Sequence, residues 1–303
     1  MYKDFTGRKW YKGNLHSHTI LSDGVLTPET LEIVYRNNGY DFLSITDHWI
    51  VREDTTEEKD FIILSGCEYA AYPQSEFNGI PRTLLYHITG IGFQKTPDLT
   101  GTANVDEHEP PQKIIDEIHK AGGLAFLAHP AWSSNTINDV WALNDLDGME
   151  VYNSFAGFGT DYKGDSGYLS DDLAGMRRFL PLIAVDDTHE NRGEVGGGFI
   201  MVQAVEFTRS GIITAIKEGR FFASQGPMLE TKLCDGKVLL VKCDPCKEIL
   251  IHTGSWDTRR RYSGDGISSC CYILPENIRF YRVEVVNMDG KRAWTSPVRV
   301  CIK

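Results

Sequence analysis

The stretch Trp10-Tyr11-Lys12-Gly13-Asn14-Leu15-His16-Ser17-His18 decides the reading of this chain. Trp10 to Leu15 is a strand-like run, and two imidazoles one residue apart fall at its end. In a strand, His16 and His18 project from the same face, which sets two borderline-soft nitrogen ligands side by side, as a metal site requires. Alone, such a pair is better explained by a solvated strand face; its company changes that. Asp23 follows in Ser22-Asp23-Gly24, then Asp47-His48 after Phe42-Leu43-Ser44-Ile45, Glu68 after Ile62-Ile63-Leu64, and His87 within Leu84-Leu85-Tyr86-His87-Ile88. His129-Pro130 comes after Leu124-Ala125-Phe126-Leu127, and Asp187-Thr188-His189 after Leu182-Ile183-Ala184-Val185. Nearly every candidate ligand thus sits at the C-terminal end of an apolar run, the edge at which an α/β barrel assembles its active site.

Between these runs the spacing predicts helices. Thr27-Pro28 reads as an N-cap with proline in the first turn, Leu31, Val34 and Tyr35 keep helical spacing, and Gly39 ends the segment. Pro111 to Ala121 repeats the device, with Ile114, Ile115 and Ile118 on one face and Gly122-Gly123 as the stop. Tyr40 to Thr46, Leu124 to Ala128, Asp147 to Tyr152, Pro181 to Val185 and Gly198 to Val205 read as strands, and Ser210 to Glu218 as a closing helix. Such alternation favours a parallel sheet or barrel. From Gly226 the pattern turns to short strands, at Leu229 to Leu233, Lys237 to Cys243, Glu248 to His252, Ser269 to Leu274 and Phe280 to Val286. The expected division is therefore a barrel over residues 1–225 and a small β-rich, sandwich-like domain over 226–303.

At 303 residues the chain has room for both units. Its net charge of −11 provides no broad cationic surface to collect nucleic-acid phosphates. No run approaches a membrane span and Met1 to Thr6 has no apolar signal core, so a cytoplasmic protein is expected. Six of the seven cysteines lie beyond position 230. Cys243-Asp244-Pro245-Cys246 lacks the second Cys-x-x-Cys that a structural zinc needs, so reduced, mostly buried thiols are expected.

The ordered series Leu15-His16-Ser17-His18, Ser22-Asp23-Gly24, Thr46-Asp47-His48, Gly66-Cys67-Glu68, His87, Ala128-His129-Pro130 and Asp187-Thr188-His189 resembles the polymerase and histidinol phosphatase (PHP) superfamily of metal-dependent hydrolases. Within it, the chain looks like the carbaryl hydrolase-like subgroup, which carries a C-terminal β extension ending in a segment similar to Arg292-Ala293-Trp294-Thr295-Ser296-Pro297. The resemblance implies a distorted, seven-stranded TIM-like (β/α) barrel holding three divalent ions. His16, His18, Glu68 and Asp187 would hold the first, Glu68, His87 and His129 the second, and Asp23, His48 and His189 the third. Asp186 departs from the small residue often found before the final Asp-x-His, so it competes with Asp187 for the ligand role or serves behind it. Asp47 is expected to orient a neighbouring imidazole.

A carboxylate offers two oxygens and an imidazole one free nitrogen, which suits Glu68 to bridging. Mixed nitrogen and oxygen ligands fit zinc, manganese and iron alike. Three divalent ions outweigh the charge of Asp23, Glu68 and Asp187, so the site would attract an anion, and the expected activity is a phosphoesterase whose metal-bridging hydroxide attacks a small phosphate mono- or diester. The expected partner is that small molecule, outside any polymerase. Arg177, Arg178, Arg192 and Arg220 are candidate clamps for the substrate anion, each against a solvated-surface alternative. His108, His119 and His252 read as surface or packing residues, and Gly196-Gly197-Gly198 as a flexible turn. Two rivals stand: hydrolysis of a carbamate, ester or amide by the same centre, and a binding module in which the C-terminal unit is the working part.

Overall fold

The structure, a computed structural model, describes residues 8–52, 57–77, 79–101, 109–157, 162–190, 193–254 and 260–300. The first half runs β1 (Tyr11–Asn14), α1 (Pro28–Asn37), β2 (Phe42–Ser44), β3 (Ile62–Leu64), β4 (Gly66–Ala71), β5 (Gln74–Phe77), β6 (Ile80–Thr83), β7 (Tyr86–Ile91), α2 (Pro111–Lys120), β8 (Leu124–Leu127), α3 (Ile137–Trp141) and β9 (Gly148–Asn153). There follow α4 (Ser154–Gly157), α5 (Gly167–Gly175), β10 (Leu182–Val185), β11 (Phe199–Val202), α6 (Arg209–Lys217) and β12 (Phe221–Ser224). The C-terminal part holds β13 (Leu229–Cys234), β14 (Val238–His252), β15 (Arg260–Ile273), β16 (Phe280–Val286), β17 (Arg292–Trp294) and β18 (Val298–Arg299).

Local chemistry explains the helices. Thr27 caps α1 by accepting from the Thr30 amide, Pro28 fits the first turn, and Leu31 and Tyr35 are buried while Gly39 leaves at φ 72°. In α2, Ile114, Ile115 and Ile118 form the buried face, as their spacing predicts.

The strands form two main sheets. One has the order β13-β14-β16-β17-β12-β11-β1-β2-β3, with β15 on β14 and β18 on β16; the other has the order β10-β9-β8-β7-β4. The described strands do not close into the single barrel expected: the sheets meet through isolated bridges, Ser17 to Thr188 and His48 to Glu68. Nor is the pairing all parallel, since β1 runs antiparallel to β11, and β7 antiparallel to both β4 and β8. The reason is local. β4 connects to β7 through the β5–β6 hairpin rather than through a helix, so the two must run in opposite directions. Gly13 is required where β1 meets β2, because a Cβ there would lie 2.0 Å from the Phe42 ring.

The C-terminal strands extend the larger sheet across residue 225, since Ala223 pairs with Trp294 and Ser224 with Ala293. Trp294 is fully buried, stacked on Tyr152, and Ser296 Oγ accepts from the Leu182 amide at 3.0 Å. Two departures from the sequence reading lie here. The strands expected at Lys237 to Cys243 and Glu248 to His252 are one bulged strand, β14, and β15 is far longer than Ser269 to Leu274.

His252 is buried among charges rather than merely packed. It lies 3.1 Å from Asp171 and 3.4 Å from Glu284, while Arg282 reaches Asp171 at 2.5 and 2.8 Å and Glu284 at 3.0 Å. Burial works to raise both carboxyls, but His252 and Arg282 hold Glu284 at about 2 and Asp171 below the usual carboxylate range. The folded state therefore binds fewer protons than the unfolded chain as pH falls below about 4, and acid favours unfolding. Arg282→Met is expected to cost about 3–5 kcal/mol at pH 7, because it removes the buried guanidinium that Asp171 and Glu284 share. Denaturant unfolding at pH 7 and pH 3 checks this: the stability lost on acidification should shrink in the variant.

Candidate metal centre

Backbone stitching assembles the site beyond the ends of β1, β2, β8 and β10, around Glu68 inside β4 and His87 near the start of β7. The chain continues past β1 to pair with the chain leaving β10, through the Asp187 amide to the His16 carbonyl (3.0 Å) and the His18 amide to the Thr188 carbonyl (2.9 Å). On its other edge the Thr46 amide donates to the Ser17 carbonyl (2.8 Å), and the Glu68 amide in turn to the Thr46 carbonyl (3.1 Å). The Ala128 amide donates to the His87 carbonyl at 3.0 Å, placing His129 beside His87. His129 and Asp187 leave their strands with left-handed backbones, φ 27° and 52°, a conformation that costs energy outside glycine and clusters at functional sites.

All nine residues singled out by the sequence converge here, in overlapping groups whose potential ligand atoms lie within 4.8 Å of one another. Glu68 is central and almost fully buried. Its Oε2 lies 3.2 Å from His16 Nε2, His18 Nε2 and His48 Nδ1, and its Oε1 lies 3.0 Å from His87 Nδ1 and 3.3 Å from His129 Nε2. Asp187 Oδ1 sits 3.2 Å from both His16 Nε2 and His18 Nε2. Asp23, half-exposed at the mouth, lies 3.3 Å from His18 Nδ1 and 3.5 Å from His48 and His189 Nε2.

The structure separates Asp187 from Asp186. Asp186 turns away and accepts from Tyr40 Oη (2.7 Å) and the amides of Gly196 (3.1 Å) and Gly198 (2.9 Å), while burial pushes its carboxyl up to about 6. The glycine run is thus a packed turn around a carboxylate: a Cβ at Gly197 would lie 2.0 Å from Ser154 Oγ, and one at Gly198 2.4 Å from the Val185 carbonyl. Among the described residues Asp47 hydrogen-bonds no imidazole directly and reaches the His18 ring only through Ser22 Oγ, which lies 3.2 Å from His18 Nδ1. It accepts from the Thr19 amide and hydroxyl and from Ser22 Oγ, all at 2.7 Å, so it anchors the turn that carries Asp23.

Sequence reasoning missed Glu150 and Asn153. Glu150 Oε1 lies 2.6 Å from His16 Nδ1, and its Oε2 accepts from the His129 amide (2.7 Å) and Asn153 Nδ2 (2.9 Å), which also donates to Asp187 (2.9 Å). A carboxylate at Nδ1 fixes the proton there and leaves Nε2 free to face Glu68 and Asp187. The available signal was a glutamate inside the apolar run Met149-Glu150-Val151.

A cavity of about 240 Å³ opens onto Asp23, His48, Glu68, His87, His129, Asp187 and His189, and is walled by Trp132, Phe155 and Ala156. Trp132 meets the His129 ring edge-on at 5.0 Å, and Phe155 stacks on His189 at 4.4 Å. None of the described candidate arginines lines it. Arg178 is engaged by the carbonyls of Val140 and Leu143, Arg220 pairs with Glu218, Arg177 is exposed, and Arg192 lies outside the described residues. His108 also lies outside them, and His119 pairs with Asp147 at 2.8 Å.

The electrostatics fit divalent ions. Burial works against the charge on Glu68 and Asp187, yet the surrounding imidazoles hold both well below the usual range. Conversely, the carboxylates overcome burial to lift His16 well above its ordinary value, His18 to about 9, and His129 and His189 upward, while burial lowers His87. The carboxylates thus favour positive charge at the positions that cations would take. Buried Asp187 Oδ1 and His87 Nδ1 make no hydrogen bond of adequate geometry, which leaves two donor atoms aimed into the cluster.

No protein-family profile and no curated protein matches the sequence. Among solved structures, the chain resembles a two-domain protein from Bacteroides vulgatus ATCC 8482 containing a predicted PHP-like metal-dependent phosphoesterase, with TM-score 0.53 and 15% identity over 98% of each chain. It also resembles an amidohydrolase from Chromobacterium violaceum, solved with bound sulfate and no metal, with TM-score 0.42 and 17% identity over 69% of this chain and 96% of that one. At such identity the first likeness establishes a common fold along the whole chain, and the second adds no weight to it. The protein is therefore a mixed α/β chain of that fold, with a histidine–carboxylate cluster where its two sheets meet.

Metal uptake is expected to be proton-linked. Addition of Zn²⁺ or Mn²⁺ to metal-free protein should release on the order of two protons per chain at pH 7, and apparent affinity should fall as pH drops from 8 to 5. Calorimetry in buffers of different ionisation enthalpy measures both. Glu150→Gln should weaken binding by about 10–100-fold, as loss of a group that orients a ligand does.

Proposed function

We propose that the chain is a metal-dependent hydrolase of the PHP superfamily that cleaves a small phosphate mono- or diester at a trinuclear centre. The observation that carries this reading is Glu68, whose two oxygens face two different sets of imidazoles in a buried pocket. His16, His18, Glu68 and Asp187 would hold one ion, Glu68, His87 and His129 a second, and Asp23, His48 and His189 a third. Divalent ions supply Lewis acidity and a water acidic enough to lose its proton near neutrality.

The chain's own residues do the rest. Glu150 keeps the proton of His16 on Nδ1, Asn153 orients Asp187, and Trp132 and Phe155 exclude bulk water from the reacting space. With Arg178 and Arg220 engaged elsewhere, attraction of the substrate anion falls to the ions. The name of the Bacteroides neighbour accords with a phosphoester. We read the two bridged sheets as a distorted barrel over residues 1–225, with residues 226–303 as a scaffold that holds none of the nine ligands. We further propose a cytoplasmic enzyme acting outside any polymerase; among the described residues no helix is long and apolar enough to cross a membrane. One observation favours the rival carboxyl ester, carbamate or amide: beyond its histidines and carboxylates the cavity wall is Trp132, Phe155 and Ala156, with no lysine or arginine among its described residues.

Panels of phosphate esters and of carboxyl and carbamate esters, assayed with added Mn²⁺ or Zn²⁺ and with chelator, test the proposal. Turnover of phosphate esters, abolished by chelator, is expected; turnover confined to the carbonyl substrates selects the rival, and none in either panel defeats the hydrolase reading. Glu68→Gln should lower kcat by about 10³-fold or more, because one substitution removes the shared anionic bridge. His119→Ala should leave kcat unchanged.

A further inference from the structure

Cysteines at positions i and i+3 of a regular strand point to opposite faces and stand roughly 10 Å apart. Cys243 and Cys246 do neither, because β14 bulges between them. Lys242 pairs with Ser269 and Cys246 with Ile267, so Cys243, Asp244 and Pro245 together oppose only Ser268. The bulge is pinned: Asp244 Oδ2 accepts from the Met228 amide at 2.9 Å, and the Asp244 amide donates to the Met228 carbonyl at 3.2 Å. Its result is a thiol pair with Sγ atoms 3.6 Å apart, Cys243 being 6% exposed and Cys246 0%. Both belong to the core under the C-terminal strands, and a surface hollow lined by Cys243, Cys270 and Cys271 leads to the first of them.

We propose that Cys243 and Cys246 form a reversible dithiol–disulfide pair, a redox-sensitive site separate from the metal centre. The oxidant class is a small organic disulfide such as oxidised glutathione. The Cys243 thiol loses its proton and attacks one sulfur of the small disulfide, forming a mixed disulfide and releasing one small thiol. Cys246, as its thiolate, then attacks Cys243 Sγ, closing the Cys243–Cys246 bond and releasing the second small thiol. Two protein thiols are oxidised and one small disulfide is reduced, so atoms and electrons balance.

Three features shape this chemistry. The sulfurs are in contact already, so bond formation asks for a further approach of about 1.5 Å between the two side chains. The ring to be closed spans only four residues, which gives a labile bond rather than a structural staple. Burial raises both thiols above their ordinary value, which lowers their thiolate fraction and makes the pair slow to oxidise.

The test is a redox titration of the intact, full-length protein in glutathione buffers of graded potential, followed by acid quench, alkylation and peptide mapping. A two-electron transition yielding a peptide linked through Cys243 and Cys246 is expected. It should persist in Cys270→Ala and vanish in Cys243→Ala, where Cys246 stays alkylatable. Below the thiol pKa, the oxidation rate should rise about tenfold per pH unit, following the thiolate fraction. A wild-type map in which Cys234 and Cys271 exchange while Cys243 and Cys246 stay reduced at every potential would overturn the proposal, as would a link from either to Cys270. The wild-type titration decides alone if Cys243→Ala does not fold.

Discussion

A single buried carboxylate, Glu68, sets the terms for the structure around it. An ionised carboxylate out of water is tolerated only when countercharges surround it, and five imidazoles lie within 3.3 Å of its two oxygens. Those imidazoles come from four separate segments of chain. The bridges that join the two sheets, Ser17 to Thr188 and His48 to Glu68, fall at these residues, so the junction of the fold and the charge cluster are one feature. The same arrangement explains the left-handed backbones at His129 and Asp187, since each must turn abruptly from its strand to aim inward.

A second ionic knot sits where the C-terminal strands meet α5. Arg282 is 2% exposed and neutralises Asp171 and Glu284, while Arg292 reaches Glu284 at 2.6 Å. With Trp294 inserted beside Tyr152, this knot fixes the β16–β17 pair against α5 and the strand β9 that α5 packs on. The C-terminal strands thereby support, at a distance, the strand that delivers Glu150 and Asn153.

The convergence of the nine side chains was legible in the chain because most of them follow strand ends: an apolar run followed by His or Asp is visible without knowing any partner. Glu150 was not, since a glutamate in an apolar run acquires meaning only from His16, distant in sequence and 2.6 Å away in space. His252 and Arg282 were hidden for the same reason. The arginine clamps could not be sorted from sequence, because engagement of Arg178 by two backbone carbonyls depends on where the chain between β8 and β9 runs. Element type was read well for α1 and α2, whose caps and periodicity are local. The sheet pairing was not, because period-two patterning does not distinguish a parallel neighbour from an antiparallel one.

The central claim is that these nine side chains hold a cluster of ions rather than one. Anomalous diffraction from crystals grown with saturating Mn²⁺ or Zn²⁺ tests it most directly. The account predicts three peaks: one facing Glu68 Oε2 with His16, His18 and Asp187, one facing Glu68 Oε1 with His87 and His129, and one among Asp23, His48 and His189. A single peak at saturation, or peaks only outside this cluster, would contradict it.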